Sequence, residues 1–214
     1  MLLQLKDLGF RYSRRGPFVF NNISLELQRP DIYEIQGPSG SGKSTLLRII
    51  AGLDTASSGS IWLDKQNRNK WSSKKLSQWR AQHTGYAPQE ASLLSSLTCA
   101  ENLQLAAEVS GTPCNESNTI DLLKRLGLAE FAHTTPDDLS GGQRQRVGLA
   151  QALIGKPELI ILDEPVSALD PESQARVEAL LSAHAQQGAI ILYCSHTPMF
   201  GGTAAPLIRL QGVA

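Results

Sequence analysis

Gly37-Pro38-Ser39-Gly40-Ser41-Gly42-Lys43-Ser44-Thr45 is the stretch on which the fold turns. Ile32-Tyr33-Glu34-Ile35 before it reads as a strand, and Leu46, Leu47, Ile49 and Ile50 after it recur as on a helix. The pattern G-x-x-x-x-G-K-[ST] in that setting describes a turn whose glycines let backbone N–H groups ring phosphate oxygens, helped by the helix N-terminus. Lys43 can then reach β- and γ-phosphates, and the Ser44 hydroxyl can ligate Mg²⁺. The plainer alternative is a Gly/Ser-rich connection without a ligand; the strand before and the helix after make a chance match rarer.

Working outward, Ile23-Ser24-Leu25-Glu26-Leu27-Gln28 alternates apolar and polar residues, as a strand with one buried face does. Leu3 and Leu5 suggest a partner strand, and Gly59 to Asp64 another. Leu159-Ile160-Ile161-Leu162 and Ala189-Ile190-Ile191-Leu192-Tyr193 are continuous apolar runs, which fit parallel strands covered on both faces. Asp170 as N-cap and Pro171 at the first helical position open a helix with Val177, Leu180, Leu181 and His184 on one side, which Gly188 ends. Leu93 to Leu153 is rich in Leu and Ala with few strand formers, and reads as a mainly helical lobe. Lys65 to Lys75 is polar and is expected to form a surface loop.

A nucleotide hydrolase also needs carboxylates. Asp163 and Glu164 follow the apolar run 159–162 directly, at the end of a buried strand where open α/β sheets bind ligands. Asp163 is placed to hold Mg²⁺ through water, and Glu164 to polarise the attacking water as general base. Taken alone, the pair could equally be solvated acids at a strand end. Leu139-Ser140-Gly141-Gly142-Gln143-Arg144-Gln145-Arg146 contains an S-x-x-Q capping box, so a helix should begin there and run to Gly155-Lys156-Pro157. Capping alone leaves unexplained why two adjacent glycines occupy its first turn, where they weaken it.

With that segment the chain resembles the ATPases of ABC transporters, over about residues 2 to 212. The resemblance implies that two cassettes pair head to tail, Ser140, Gly141 and Gly142 of one binding the γ-phosphate of ATP held by the other. It implies that Tyr12 stacks on adenine, with a turn tyrosine as the alternative. Gln89, in Gly85-Tyr86-Ala87-Pro88-Gln89, resembles the glutamine loop joining sheet and helical lobe, and joins Ser44 and Asp163 as a metal-site residue. Ser167-Ala168-Leu169-Asp170 resembles the dimer-contact loop, and His196 the switch histidine that contacts the γ-phosphate. Pro30-Asp31 stands where many relatives have Gly-Glu, and Thr197-Pro198 follows His196 in place of a frequent Asp. The chain ends 18 residues after His196, which leads to the expectation that the regulatory C-terminal domain of some sugar importers is absent.

The expected fold is therefore α/β: a P-loop NTPase core with an N-terminal antiparallel β subdomain and an inserted α-helical lobe. Residues 1–214 form one ABC ATPase domain, with the catalytic core at about 1–89 and 151–214 and the lobe at about 90–150. The expected function is ATP binding and hydrolysis that powers a membrane transporter through ATP-driven dimerisation. Lys43, Glu164 and His196 would be catalytic; residues 37–45 and Gln89, with Tyr12 and Ser140–Gly142, would hold nucleotide; ATP and Mg²⁺ are the cofactors. Ser92 to Leu103 is worded as in the lipoprotein-releasing, macrolide-exporting and cell-division branch, and amino-acid importers are similar there.

Composition agrees with these expectations. Lys plus Arg and Asp plus Glu number 20 each, so the basic excess of a nucleic-acid binder is missing and no nucleic-acid partner is expected. A DNA-repair or translation cassette would also need coiled coils, zinc inserts or a second cassette. Cys99, Cys114 and Cys194 are odd in number and scattered, which suits reduced thiols. The start has no basic-then-apolar leader, and no apolar run nears the ~20 residues that span a bilayer. The expected place is the cytoplasmic face of the cell (inner) membrane, where integral permease subunits would hold the protein.

Overall fold

The computed structural model describes residues 1–28, 30–202 and 206–211, the side chains of 206 and 207 excepted. The first part of the chain runs β1 (Leu3–Phe10), β2 (Phe20–Leu27), β3 (Asp31–Gln36), α1 (Lys43–Ala51), β4 (Ser58–Leu63) and β5 (Gln66–Asn67). Then come α2 (Ser73–His83), β6 (Thr84–Ala87), α3 (Cys99–Ser110), α4 (Glu116–Arg125) and α5 (Gly141–Leu153). The last part is β7 (Leu159–Asp163), α6 (Pro171–Gln186), β8 (Ile190–Cys194) and β9 (Pro206–Arg209). Parts of the expected core, 203–205 and 212–214, lie outside the described residues.

Two sheets form. The antiparallel one has the order β2-β1-β4-β5, with Leu3 opposite Leu27 and Leu63, and Leu5 opposite Leu25 and Ile61. The parallel one has the order β6-β7-β8-β3-β9. Every residue of β7 and β8 is buried, and alternation decides where each goes. Leu159, Ile161, Ile190, Leu192 and Cys194 share a core with α1 and the antiparallel sheet. Ile160, Leu162, Ile191 and Tyr193 share the other core with α3 to α6. The parallel sheet thus lies between an antiparallel layer and a helical one, which is why its strands are apolar throughout. Because β3, β7 and β8 are adjacent and parallel, the segments that leave their C-terminal ends (37–42, 164–170 and 195–197) emerge side by side.

α3, α4 and α5, in and beside the stretch expected to be helical, are each opened by a capping box: Thr98 with Glu101, Asn115 with Asn118, and Ser140 with Gln143. Asp170 caps α6 and Pro171 is its first residue, as the sequence predicts. The segment 65–75 is not the simple surface loop expected. It holds β5, a short turn at Arg68–Lys70 capped by Asn67, and the start of α2 capped by Ser72. Arg68 is buried and donates to the carbonyls of Ile49 and Ile50 at 2.5 and 2.6 Å, in the last turn of α1, where the Ile49 carbonyl also accepts from the Gly52 N–H at 3.1 Å. Burial pulls its guanidinium down to about 10, still charged at neutral pH.

Candidate functional site

The phosphate-type turn joins β3 to α1. Gly42 caps α1 in the left-handed region (φ 90°) and offers no side chain, so the first N–H groups of the helix have no side-chain cap. Lys43 extends back along the turn, its Nζ donating to the carbonyls of Gly37 at 2.8 Å and Pro38 at 3.2 Å. The Ser44 hydroxyl donates to Asp163 Oδ1 at 3.0 Å, linking α1 to the end of β7. The Cys194 thiol, from the end of β8, donates to the same oxygen at 3.0 Å. Burial first, then the Asp163 carboxylate, push that thiol well above its ordinary value, so it stays an S–H donor.

Glu164 is 6% exposed and adopts φ 53°, a left-handed backbone that costs a non-glycine residue about 1–3 kcal/mol. Its N–H donates to the Cys194 carbonyl at 2.9 Å, and its carboxylate accepts from the His196 N–H at 3.0 Å. The His196 ring nitrogen Nε2 lies 3.7 Å from the other carboxylate oxygen. The carboxylate is thereby held along the strand ends beside residues 195 and 196.

One cleft of about 400 Å³ gathers much of this set: Tyr12, Ser39, Gly40, Gly42, Lys43, Ser44, Thr45, Gln89, Glu164, Cys194 and His196. Tyr12 is 80% exposed at its rim, its ring edge set on Phe10 with centroids 5.1 Å apart. Gly37, Pro38, Ser41 and Asp163 belong to the surrounding structure without lining the cleft. Ser140, Gly141 and Gly142 are not in it. Gly141 faces a neighbouring cavity of about 470 Å³ with Gln89, Gln145, Ser167 and Ala168. Gln89 borders both cavities.

The two glycines have different surroundings. A Cβ on Gly142 would sit 2.7 Å from the Ala168 carbonyl oxygen, whereas one on Gly141 would meet nothing within 4 Å. Packing inside the chain accounts for the first and not for the second. In the sequence Cys194 reads only as a scattered thiol, although its position at a strand end two residues before His196 signals it. Gln145, one helical turn after Gly141, reads only as part of the capped helix.

For a divalent cation, the donors at hand are the Ser44 hydroxyl and the Asp163 carboxylate, hard oxygens 3.0 Å apart. No group of three or more His, Cys, Asp or Glu side chains able to cage a metal occurs among the described residues. That sparse oxygen set fits Mg²⁺, which takes one or two protein oxygens and completes its shell with water and phosphate.

The family model described as ABC transporter matches residues 20–167. The chain belongs to the ABC transporter family. It is 39% identical over 215 residues to the macrolide export ATP-binding/permease protein MacB of Mannheimia succiniciproducens, a match covering 98% of this chain and 33% of that protein. It is 34% identical to the lipoprotein-releasing system ATP-binding protein LolD of Idiomarina loihiensis, covering 91% and 88% of the two. The methionine import ATP-binding protein MetN of Carboxydothermus hydrogenoformans is 37% identical, with 91% and 59% covered. The cassette thus spans about a third of the MacB relative it matches. Among solved structures, the ATP-binding cassette MJ0796 in a dimeric post-hydrolysis state with ADP and Pi superimposes with a TM-score of 0.84 at 30% identity, covering 91% of this chain and 88% of that one. The fold is that of an ABC ATPase cassette. No helix among the described residues is long and apolar enough to cross a membrane.

Proposed function

We propose that this cassette binds ATP–Mg²⁺, pairs head to tail with a second copy around two nucleotides, and uses hydrolysis to drive integral membrane permease subunits. The observation that carries the reading is the convergence of Tyr12, the turn around Lys43, Gln89, Glu164 and His196 on one cleft, with the Ser140–Gly142 helix end outside it. Tyr12 takes the adenine face, and the backbone of residues 37–45 surrounds the phosphates. Lys43 exchanges its carbonyl partners for the β- and γ-oxygens. Ser44 and Asp163 would hold Mg²⁺, which would supply neutralisation of phosphate charge, and Gln89, which lines the same cleft, would join them as a metal-site residue. Glu164 takes the proton of the attacking water, and His196 contacts the γ-phosphate.

The separation of Ser140, Gly141 and Gly142 from the cleft is what a two-chain site requires, since they serve the nucleotide of the opposite copy. MJ0796, which is solved as a dimer, supports that pairing. The core is assigned to 1–89 and 151–214 and the lobe to 90–150, with Val147, Leu149 and Ala150 of α5 joining the two beneath the parallel sheet. Relatives that export macrolides, release lipoproteins and import methionine support attachment to membrane partners at the cytoplasmic face of the inner membrane. Nucleotide titration tests the assignment: Lys43→Ala should abolish measurable ATP binding, and unchanged affinity would refute the phosphate role of residues 37–45.

A further inference from the structure

Gln145 ties the opening turns of α5 to the turn that carries Glu164. It lies four residues beyond Gly141 and so projects from the same helix face, one turn along. Its Nε2 donates to the Glu164 carbonyl at 2.6 Å and to Ser167 Oγ at 3.3 Å, and its Oε1 accepts from the Ala168 N–H at 3.3 Å. Ser167 Oγ donates to the same Glu164 carbonyl at 3.2 Å. Close beside them, Gly142 presses on the Ala168 carbonyl at a distance that leaves no room for a Cβ. The first turn of α5 and residues 164–168 therefore shift as a unit or lose these contacts. What they hold is the left-handed backbone of Glu164, a conformation that persists only where its surroundings impose it.

In the ATP-sandwich reading, on which this inference rests, the two ends of that linkage serve different nucleotides. Glu164 acts on the ATP held by Lys43 of its own chain, and the first turn of α5 meets the ATP held by the second copy. Gln145 stands between them and touches neither. We propose that Gln145 is a positioning residue that couples the two ATP sites: contact of the α5 end with the opposite γ-phosphate is passed through its amide to the backbone of Glu164. The alignment of each general base thus follows the position of the α5 end that serves the other site. A side chain that merely stapled a turn would affect melting and leave cooperativity alone.

The test uses the full chain with Gln145→Met, which keeps length and removes the hydrogen bonds, and Gln145→Glu, which keeps an acceptor for Ala168 and sets a carboxylate against the Glu164 carbonyl. Ser167→Ala, at an exposed position, removes part of the same network without threatening the fold. ATP affinity, kcat, the Hill coefficient in ATP and Tm are measured together. The expected result is ATP affinity within about twofold of the unsubstituted chain, since no ligand contact is removed. The kcat should fall by about 10- to 100-fold, as expected when a reacting group is misplaced by a fraction of an ångström to an ångström. The Hill coefficient should drop from above one toward one, with Ser167→Ala intermediate. Folded variants that retain the starting kcat and Hill coefficient would overturn the coupling, as would an unsubstituted chain that hydrolyses ATP without cooperativity. If Glu164→Gln binds ATP yet stays monomeric, it is nucleotide-driven closure of the isolated cassette that has failed, and this is read apart from the coupling.

Discussion

Replacing Glu164 by Gln separates binding from hydrolysis. The exchange keeps the side chain's length, and the amide oxygen can still accept from the His196 N–H, now 3.0 Å from the carboxylate. The main-chain bond from Glu164 N–H to the Cys194 carbonyl is untouched, so the strained backbone keeps its support. What disappears is the negative charge that, in the proposed mechanism, takes a proton from water. General-base catalysis contributes typically 10²- to 10⁴-fold, so kcat should fall by about that factor, a barrier increase of roughly 3–5 kcal/mol. Lys43, Ser44 and residues 37–42 are unchanged, and ATP affinity should stay within a fewfold. With the opening step slowed and binding intact, ATP acts as glue between two copies. The variant should pass from monomer to dimer on adding ATP and not on adding ADP, read by size-exclusion chromatography or analytical ultracentrifugation. Adding Ser140→Arg should abolish the shift, because a long side chain would occupy the phosphate's place at the start of α5. A double variant that still dimerises refutes the role given to Ser140. A single variant that binds ATP yet stays monomeric at high concentration refutes nucleotide-driven closure of the isolated cassette.

Tyr12→Ala should weaken ATP binding by about 0.5–1.5 kcal/mol, roughly two- to twelvefold, while Tyr12→Phe is nearly silent; equal losses in a nucleotide titration would disprove stacking. Gly142→Ala forces a Cβ to 2.7 Å from the Ala168 carbonyl oxygen and should cost about 1–3 kcal/mol, a fall in Tm of several degrees. Gly141→Ala meets open space at a helical position and should hold or raise Tm by scanning calorimetry, yet block ATP-driven pairing in the Glu164→Gln background. His184 is held below its ordinary pKa by burial, aided by the nearby charges of Arg125 and Lys156. The unfolded chain therefore takes up that proton first as pH falls through about 6.5, and the folded chain loses stability there. His184→Gln should flatten the fall of Tm with acidification; an unchanged slope would rule out this histidine as its source.

Much of the fold was legible because burial writes itself into hydropathy. β7 and β8 are buried on both faces and read as unbroken apolar runs, and β1 and β2 alternate in register across Leu3 and Leu27. Where burial uses no large apolar side chain, the text goes quiet. α2 has no buried residue, and only its Ser72 cap marks a start. β6 buries Gly85 and Ala87, small because the backbone of α5 comes close: a Cβ on Gly85 would stand 2.0 Å from the Ala152 carbonyl oxygen. Arg68 is the sharper case, since a residue that composition assigns to solvent is buried by the two carbonyls it satisfies.

The candidate site divides along the same line. Lys43, Asp163, Glu164 and His196 stand out as candidates because each follows a strand that hydropathy announces, and the chemistry proposed for them has a fixed spacing from that strand. Gln145 could not, because its importance lies in a contact across 19 residues to a backbone carbonyl, and main-chain acceptors leave no mark in a sequence. The glycine pair shows how far each kind of reasoning reaches. Sequence treats Gly141 and Gly142 alike, as two weak points in one helical turn. Structure separates them: Gly142 is small because Ala168 lies against it, and that reason is complete within one chain. Gly141 carries the same helical penalty with open space around it, so its smallness has no internal cause. A cost that the monomer does not explain is best charged to something that approaches from outside. The capped but otherwise bare start of α5 favours an anion there, and the phosphate of a second copy's nucleotide supplies one.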